Sequence, residues 1–366
     1  MSLPADTEAD DVDKDLYDQP LHPSDPGALS KAEITWRGRQ KWLEQHGYML
    51  RPRYHQSWRP SWKDSKKSFY DCEDGVSIWH GSIIDATRTS DGSLVVLKEI
   101  KKSRHPHEAD IGLFFSAEPL ASDPKNHCVP ILEVLQVPDD EDLIVFVMPF
   151  LRAYRSPIFD TFGEAVAYFK QVFEGLQFMH VHHVAHRDCD GRNIMMDGVH
   201  LYPHGFHPMS AQMKPDLSGF AKHYSRTERP VKYYFIDFGI SRRYSPDNEA
   251  PREPQILGGD QSVPEFRDSD EPMDPFPTDV YYLGNMIRED FINAKYGFEF
   301  MGPLVSDMVQ DDPIKRPNMD EVVTRFENIQ KSLNSWKLRS RVVERDAAPI
   351  LNLYRFLVHW RRRINY

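Results

Sequence analysis

The segment from His186 to Asn193 carries the strongest chemical signal in the sequence. Asp188 precedes Asn193 by five residues, and the apolar run Ile194–Met196 follows. Both side chains should therefore lie on a loop between a helix and a short strand. An acid and an amide at this spacing suit phosphoryl transfer, because the Asp can accept a hydroxyl proton while the Asn oxygen binds Mg²⁺.

Two further polar side chains end apolar strands and could complete such a site. Asp237 follows the apolar run Tyr233–Ile236, and Mg²⁺ prefers oxygen ligands of this kind. Lys98 follows Val95–Leu97, and its ammonium group on a strand could hold two phosphates. Asn193 and Asp237 would together supply the protein's share of a magnesium site.

These motifs, in this order and over about residues 70–335, resemble those of the protein kinase superfamily. The resemblance implies that Lys98 holds the α- and β-phosphates of ATP and that Asp188 is the catalytic base. It makes Asn193 and Asp237 the ligands of Mg²⁺, so ATP and Mg²⁺ are the expected cofactors. The sequence around His186 looks most similar to that of kinase-like proteins of basidiomycete fungi.

Three later motifs extend the resemblance toward the C-terminus. Val263-Pro-Glu265 resembles the motif that closes the activation segment. Asp279 begins a stretch that resembles the buried helix whose aspartate braces the catalytic loop, and Arg316 matches an arginine that pairs with Glu265. The implied fold is α+β and bilobal, with a small mainly-β N-lobe and a larger mainly-α C-lobe.

The resemblance also assigns residues to the nucleotide. The segment that contains Met148 and Phe150 resembles the hinge whose backbone reads adenine. Met195 would lie beneath the adenine ring, and Ile83 and Val96 would cover it from above.

The glycine-rich loop, which would bind the phosphates, departs from the family pattern. Its three glycine positions hold Val76, Ile78 and Gly81, although Gly75 could serve if the hairpin shifts by one residue. Glycines at these positions let backbone amides approach phosphates without a clash from Cβ atoms. We therefore expect a reshaped loop over the phosphates.

Two other features leave alternatives open. The usual register makes Asp110 the acid that pairs with Lys98, but Glu108, half a turn away, has the longer side chain and is preferred for its reach. The markers of substrate class also conflict. Arg192 matches a spacing common in tyrosine kinases, whereas serine/threonine kinases usually have a lysine where this chain has Asp190.

An arginine immediately before the catalytic aspartate, here Arg187, usually implies control by an anionic group in the activation segment. Ser241, Tyr244 and Ser245 are candidate phosphorylation sites. Arg187 and Arg242 would then be the partners of the phosphate.

Local patterns predict the elements that must position these residues. Strand patterns occupy residues 94–100 and 143–148. Helix starts are predicted where capping residues pair as Ser30 with Glu33, Thr161 with Glu164, and Asn318 with Glu321. The expected divisions are a disordered acidic N-terminus at 1–29, a helix and extended strap at 30–68, the N-lobe at 69–150, the C-lobe at 151–335 with an insertion at 197–232, and a basic tail at 336–366.

Composition excludes several other classes of protein. The 366 residues carry a formal net charge of −11, which argues against a nucleic-acid-binding role. No apolar run approaches the roughly 18 residues of a transmembrane helix, and the N-terminus lacks the pattern of a secretory signal. Three widely spaced cysteines favour a reducing, intracellular compartment, either cytoplasmic or nuclear.

The predicted function is ATP- and Mg²⁺-dependent transfer of phosphate to the hydroxyl groups of a protein substrate. One alternative is a pseudokinase that binds or scaffolds, which the poor glycine-rich loop favours. Another is a small-molecule phosphotransferase, which shares the spacing of Asp188 and Asn193 but normally lacks an activation segment. The sequence leaves the oligomeric state open.

Overall fold

The structure, a computed structural model, describes residues 25–248, 250–256, 259–267, 271–348, 352–353, 355–357 and 359. Most of the acidic N-terminus that the sequence predicts to be disordered lies outside these residues. The chain divides into two compact units. The first takes the described residues up to Lys101, Leu132–Phe150 and Tyr202–His223, and the second takes Lys102–Ile131, Leu151–Leu201 and the described residues from Tyr224 onward.

The first unit is built on an antiparallel five-stranded sheet in the order β1-β2-β3-β5-β4. Its strands are β1 Tyr48–Leu50, β2 Ile83–Arg88, β3 Leu94–Lys101, β4 Glu133–Gln136 and β5 Leu143–Pro149. Side chains alternate between the two faces of a strand, and on β3 Val95 and Leu97 are buried in the core whereas Val96 and Lys98 are half-buried on the other face. Both strand predictions, at 94–100 and 143–148, are confirmed.

A helix at the start of the described chain completes this core. Helix α1 spans Lys31–Gln45, and the predicted capping box of Ser30 and Glu33 is present. Trp36 and Leu43 lie on the buried face of the helix and are fully buried. The indole Nε1 of Trp36 donates a hydrogen bond of 2.9 Å to the carbonyl of Gly81, which ties α1 to the start of β2.

The connection between β1 and β2 is not the short hairpin over Val76–Gly81 that the family register predicts. The strand that pairs with β2 ends at Leu50, so residues 51–82 make the connection, and they include three short 3₁₀ helices. Tyr54 and Ile78 are both fully buried in the core, so the segment is anchored near both of its ends. Pro52–Tyr54 forms a 3₁₀ turn, where the sequence predicted an extended chain.

Part of the predicted insertion belongs to this first unit. The Phe206 ring lies 5.6 Å from that of Phe150, between centroids. His207 is buried, and its Nδ1 accepts hydrogen bonds from the backbone of Met209 and Ser210. The proton must then be on Nε2, which lies 3.5 Å from the carboxylate of Glu73. The insertion therefore packs on the connection between β1 and β2 and on the residue that follows β5.

The second unit is mainly helical. Its helices are α2 Pro106–Ser116, α3 Phe162–Val181, α4 Pro275–Ile287, α5 Gly302–Met308, α6 Met319–Ser332 and α7 Ser335–Arg339. Its short strands are β6 Arg152–Ala153, β7 Val184–Ala185, β8 Ile194–Met196, β9 Tyr233–Phe235, β10 Arg242–Arg243, β11 Lys295–Tyr296 and β12 Val343–Glu344. A sheet within the first unit and helices in the C-terminal part are those of a bilobal kinase fold. In the described part of the chain, we find no helix with the length and apolar character needed to cross a membrane.

Two of the predicted helix starts lie in this unit. The capping box of Asn318 and Glu321 is present at the start of α6. At α3, Thr161 accepts a hydrogen bond from the backbone of Glu164, as predicted. The Glu164 carboxylate, however, accepts from the backbone of Asp160 rather than from that of Thr161, so this box is shifted by one residue.

Replacing Arg53 by Ala should lower the free energy of unfolding by about 3–5 kcal/mol, because it removes one partner of a buried ion pair. The Arg53 Nε lies 2.7 Å from the Glu33 carboxylate, and both side chains are at most 1% exposed. Urea denaturation measures the loss. Arg59→Ala, which changes an exposed arginine a few residues further along the same connection, is the control. Equal stability of the two variants would contradict the prediction.

Candidate active site

The catalytic loop is anchored by a buried neutral imidazole. His186 follows β7 and is fully buried. Its Nδ1 accepts a hydrogen bond of 3.2 Å from the backbone of Asp188, and its Nε2 donates one of 3.1 Å to the carbonyl of Ile236. Burial lowers the pKa of His186, which favours this uncharged form. The loop is thereby joined to the residue that immediately precedes Asp237.

A buried carboxylate on α4 holds the turn of the same loop. Asp279 has no exposed surface, and its two oxygens accept hydrogen bonds of 2.7 Å from the backbone of His186 and of Arg187. His180 Nε2 lies 3.1 Å from the same carboxylate. Arg187 has a φ of +70°, a left-handed conformation that is costly for a residue with a Cβ. Asp279 offsets that cost by satisfying both backbone donors.

Asp188 and Asn193 are directly bonded to each other. The Asn193 amide nitrogen donates hydrogen bonds of 2.8 Å to the Asp188 carbonyl and to its Oδ2. The Asn193 amide can therefore offer only its carbonyl oxygen to a cation. The Asp188 Oδ1 is buried and has no hydrogen-bond partner among the described residues, so it is the oxygen available to a substrate proton.

The surroundings of Asp188 favour its protonated form. Burial is the largest cause, and the negative charge of Asp190 adds to it; together they raise the pKa of Asp188 to about 7. The positive charge of Arg192 and the hydrogen bond from Asn193 act in the opposite direction. A carboxyl group whose pKa lies near neutrality is suited to exchange a proton during a reaction.

Gly259 packs against the free oxygen of Asp188, a contact that motif reasoning did not identify. Its φ is +67°, and a Cβ at this position would lie only 2.5 Å from Asp188 Oδ1. Glycine alone fits both the backbone conformation and the close approach. The pair of glycines shortly before Val263 was the available signal in the sequence.

Asp237 stands at the end of β9 with an exposed side chain and a φ of +64°. The next residue, Phe238, is buried against the rings of Phe115 and His186, at centroid distances of 6.3 and 5.7 Å. Asp237 also contributes to the raised pKa of Asp188 through its negative charge. These contacts place the two aspartates in the same region of the second unit, together with Asn193.

The two acids proposed as partners of Lys98 differ in burial. Both lie on α2, where Glu108 is 4% exposed and Asp110 is an exposed residue. A Cβ on Gly239 would lie 3.4 Å from Glu108 Oε2 and 3.3 Å from Asp237 Oδ1. Glu108 is therefore the acid that faces the Asp237-Phe-Gly segment. Lys98 lies on β3 in the first unit, opposite Ile83 and Phe146.

The residues assigned to the nucleotide are distributed over both units. Four of them share one face of the sheet in the first unit, namely Lys98, Val96 and its cross-strand neighbour Met148, and Ile83 opposite Lys98. Phe150 is buried against the insertion, and Gly81 accepts the hydrogen bond from α1. Met195 is a half-buried residue of β8 in the second unit, opposite Ala153 and Tyr234.

The remaining predicted residues form ion pairs in the second unit. Arg316 contacts the Glu265 carboxylate through two nitrogens, at 2.8 and 2.5 Å, and both side chains are at most 1% exposed. Thr278 donates a further hydrogen bond of 2.8 Å to Glu265. Arg192 is exposed and pairs with Asp190 at 2.5 Å.

The strand that leads to Asp237 is supported by a buried histidine that the sequence analysis overlooked. His127 is 4% exposed and its Nδ1 donates a hydrogen bond of 2.8 Å to the carbonyl of Tyr233. Its own carbonyl accepts one of 2.7 Å from Phe235. Burial lowers the pKa of His127 to about 4, and a lone histidine in a loop carried no sequence signal for this role.

The low pKa of His127 predicts a pH-dependent loss of stability. The folded-state pKa lies below the unfolded value, so the stabilisation is complete above about pH 6.5 and is lost as the pH falls toward 4. Between pH 7 and 5 this loss should be about 2 kcal/mol. His127→Asn should remove that part of the pH dependence in urea denaturation, whereas His200→Asn, at an exposed histidine, should not. Identical pH profiles for the wild type and the His127 variant would contradict the assignment.

Comparison with known proteins agrees with this geometry. Residues 79–289, more than half of the chain, match the model of the protein kinase domain. Serine/threonine-protein kinase pim-2 of Danio rerio is 29% identical over 138 residues, which cover 32% of this chain and 44% of that protein. A probable myosin light chain kinase of Dictyostelium discoideum is 28% identical over 148 residues, which cover 37% of this chain and 36% of that protein.

The chain thus matches less than half the length of each of these curated relatives. The family match begins just before β2 and ends just after α4. It includes the strand of Lys98, the catalytic loop, the Asp237-Phe-Gly segment and the helix of Asp279. On this match, and with the catalytic loop and its bracing helix in place, the chain belongs to the protein kinase family.

Proposed function

We propose that this chain is an ATP- and Mg²⁺-dependent phosphotransferase that acts on the hydroxyl groups of proteins. The observation that carries the proposal is the second-unit arrangement of Asp188, Asn193 and Asp237. One carboxylate has a buried free oxygen, one amide can offer only its carbonyl oxygen, and one carboxylate is exposed at a strand end. Oxygen ligands of this type suit Mg²⁺.

Each group has a distinct role in the proposed reaction. Asp188 Oδ1 accepts the proton of the attacking hydroxyl while a new bond forms to the γ-phosphorus and the bond to the ADP oxygen breaks. Asn193 and Asp237 hold Mg²⁺, which when bound neutralises charge on the phosphates. Lys98 orients the α- and β-phosphates, and Glu108 is the buried acid on α2 beside the Asp237-Phe-Gly segment. The protein contributes mainly positioning and charge stabilisation.

We assign the acceptor to serine or threonine hydroxyl groups. The name of the relative from Danio rerio, a serine/threonine-protein kinase, supports this class. Arg192, the residue that had suggested a tyrosine kinase, forms an exposed ion pair with Asp190. The closer resemblance to kinase-like proteins of basidiomycete fungi stays a prediction.

A pseudokinase is the second candidate, and one observation favours it. Residues 51–82 connect β1 to β2 in place of a glycine-rich hairpin, and Ile78 is buried in the core. Such a segment does not present a run of glycine amides to phosphates. A small-molecule phosphotransferase ranks third, because the buried pair of Glu265 and Arg316 is typical of an activation segment that those enzymes normally lack.

Asp188→Asn should lower kcat by about 10²- to 10⁴-fold, the usual contribution of a positioned acid or base. The Asn side chain keeps the size of Asp188 and can still contact Asn193, so the melting temperature should stay close to that of the wild type. A radiolabelled ATP transfer assay on a mixture of protein substrates measures the effect. Asp216→Asn, at an exposed position of the insertion, is the control; unchanged transfer by the Asp188 variant would refute the role.

Millimolar ATP with Mg²⁺ should raise the melting temperature of the wild type, because a ligand that binds only the folded state stabilises it by about 2.7 kcal/mol at a hundred times its Kd. Asp237→Asn should abolish most of the difference between ATP with and without Mg²⁺. Thermal denaturation with each combination measures both effects. If the wild type shows neither a thermal shift nor transfer, the pseudokinase is the better description.

A further inference from the structure

Glu253 lies within the activation segment, between the Asp237-Phe-Gly motif and Glu265. Its backbone forms an isolated antiparallel bridge with Met273, through hydrogen bonds of 2.8 and 2.9 Å. The Glu253 side chain is only 16% exposed. A carboxylate that is held in place and largely shielded from water needs positive or donor groups around it.

Three groups surround this carboxylate. Arg187 Nη1 lies 3.1 Å from Glu253 Oε2, and Arg242 Nε lies 3.8 Å from the same oxygen. The hydroxyl of Tyr244 donates a hydrogen bond of 3.0 Å to Oε1. One glutamate therefore contacts the catalytic loop, through Arg187, and the short strand β10, through Arg242.

The Arg187 guanidinium makes further bonds on both sides of Glu253. It donates hydrogen bonds of 2.9 Å to the carbonyl of Ile240 and to that of Pro254. Ile240 immediately follows the Asp237-Phe-Gly motif, and Pro254 follows Glu253. Arg187, the buried residue immediately before Asp188, thus connects two parts of the activation segment to the catalytic loop. Its charge is balanced by Glu253.

A regulatory phosphorylation site must be exposed to another enzyme, and two of the three candidate hydroxyl groups are not exposed. Ser241 is fully buried and donates a hydrogen bond of 2.9 Å to the carbonyl of His186. The hydroxyl of Tyr244 is bonded to Glu253, so a phosphate there would place a second anion against the carboxylate. Ser245 alone of the three is exposed. The anionic partner of Arg187 is therefore already present, as the carboxylate of Glu253.

We propose that Glu253 is a positioning residue, a built-in anion that holds Arg187 and the activation segment in the geometry for transfer without phosphorylation of the segment. This inference rests on the proposed function. Glu253 acts through Arg187 and does not touch the reacting groups. Removing its charge would leave Arg187 and Arg242 close together without a counter-ion, and the left-handed turn beside Asp188 would lose part of its support.

The test uses the full chain, expressed in bacteria, treated with phosphatase and shown by intact mass to carry no phosphate. Glu253→Gln should lower kcat by about 10- to 100-fold, the loss expected when a catalytic group is misplaced. The KM for ATP should change little, and Glu253→Asp should restore part of kcat. The matched control is Glu344→Gln, which removes the same charge from an ion pair with Arg355 at 2.9 Å in the same unit.

Hydrogen exchange gives a second result that does not depend on activity. Glu253→Gln should speed exchange of the backbone amides of residues 240–244 and 253–256, and Glu344→Gln should not. If the wild type transfers no phosphate but this exchange pattern is found, the proposed function fails and the role of Glu253 stands. The inference is overturned if phosphatase treatment abolishes wild-type transfer, or if Glu253→Gln matches the wild type in both kcat and exchange.

Discussion

The conformation of the catalytic loop depends on the hydrogen bonds between its backbone and the buried carboxylate of Asp279. This carboxylate accepts two backbone hydrogen bonds from His186 and Arg187, and the second of these residues has a left-handed backbone. Such a conformation persists only where neighbouring groups satisfy the donors that it exposes. The placement of Asp188, one residue later, follows from this turn, and so does the direction in which Arg187 reaches the activation segment.

Buried ion pairs serve the same purpose elsewhere in the chain. Arg53 joins the strap to Glu33 of α1 in the first unit, and Arg316 joins the segment before α6 to Glu265 in the second. Each partner would be costly to bury alone, so each pair holds two distant segments in a defined register. The pair of Glu253 and Arg187 extends this pattern to the activation segment. There, in our proposal, the pair holds the segment in the geometry for phosphate transfer.

Much of the local structure could be predicted from the sequence because its causes are local. The capping residues at Ser30 and Asn318 and the β-branched run at 143–148 act on their own neighbours, and each forms the predicted element. The kinase motifs could also be recognised from the sequence, because Asp188 and Asn193 lie in one loop and form a hydrogen bond within it. The family match at residues 79–289 agrees with that interpretation.

Other features depend on contacts between residues far apart in the chain, and no local pattern encodes them. Tertiary structure alone decided that β1 pairs with β2 across residues 51–82 and that the insertion packs on Phe150. The same folding decided between the two candidate acids, since Glu108 is buried and Asp110 is exposed. It also decided that Glu253 meets Arg187. Sequence determines which groups are available and the short-range structure around them, whereas burial, which sets the strength of each charge interaction, exists only once the chain has folded.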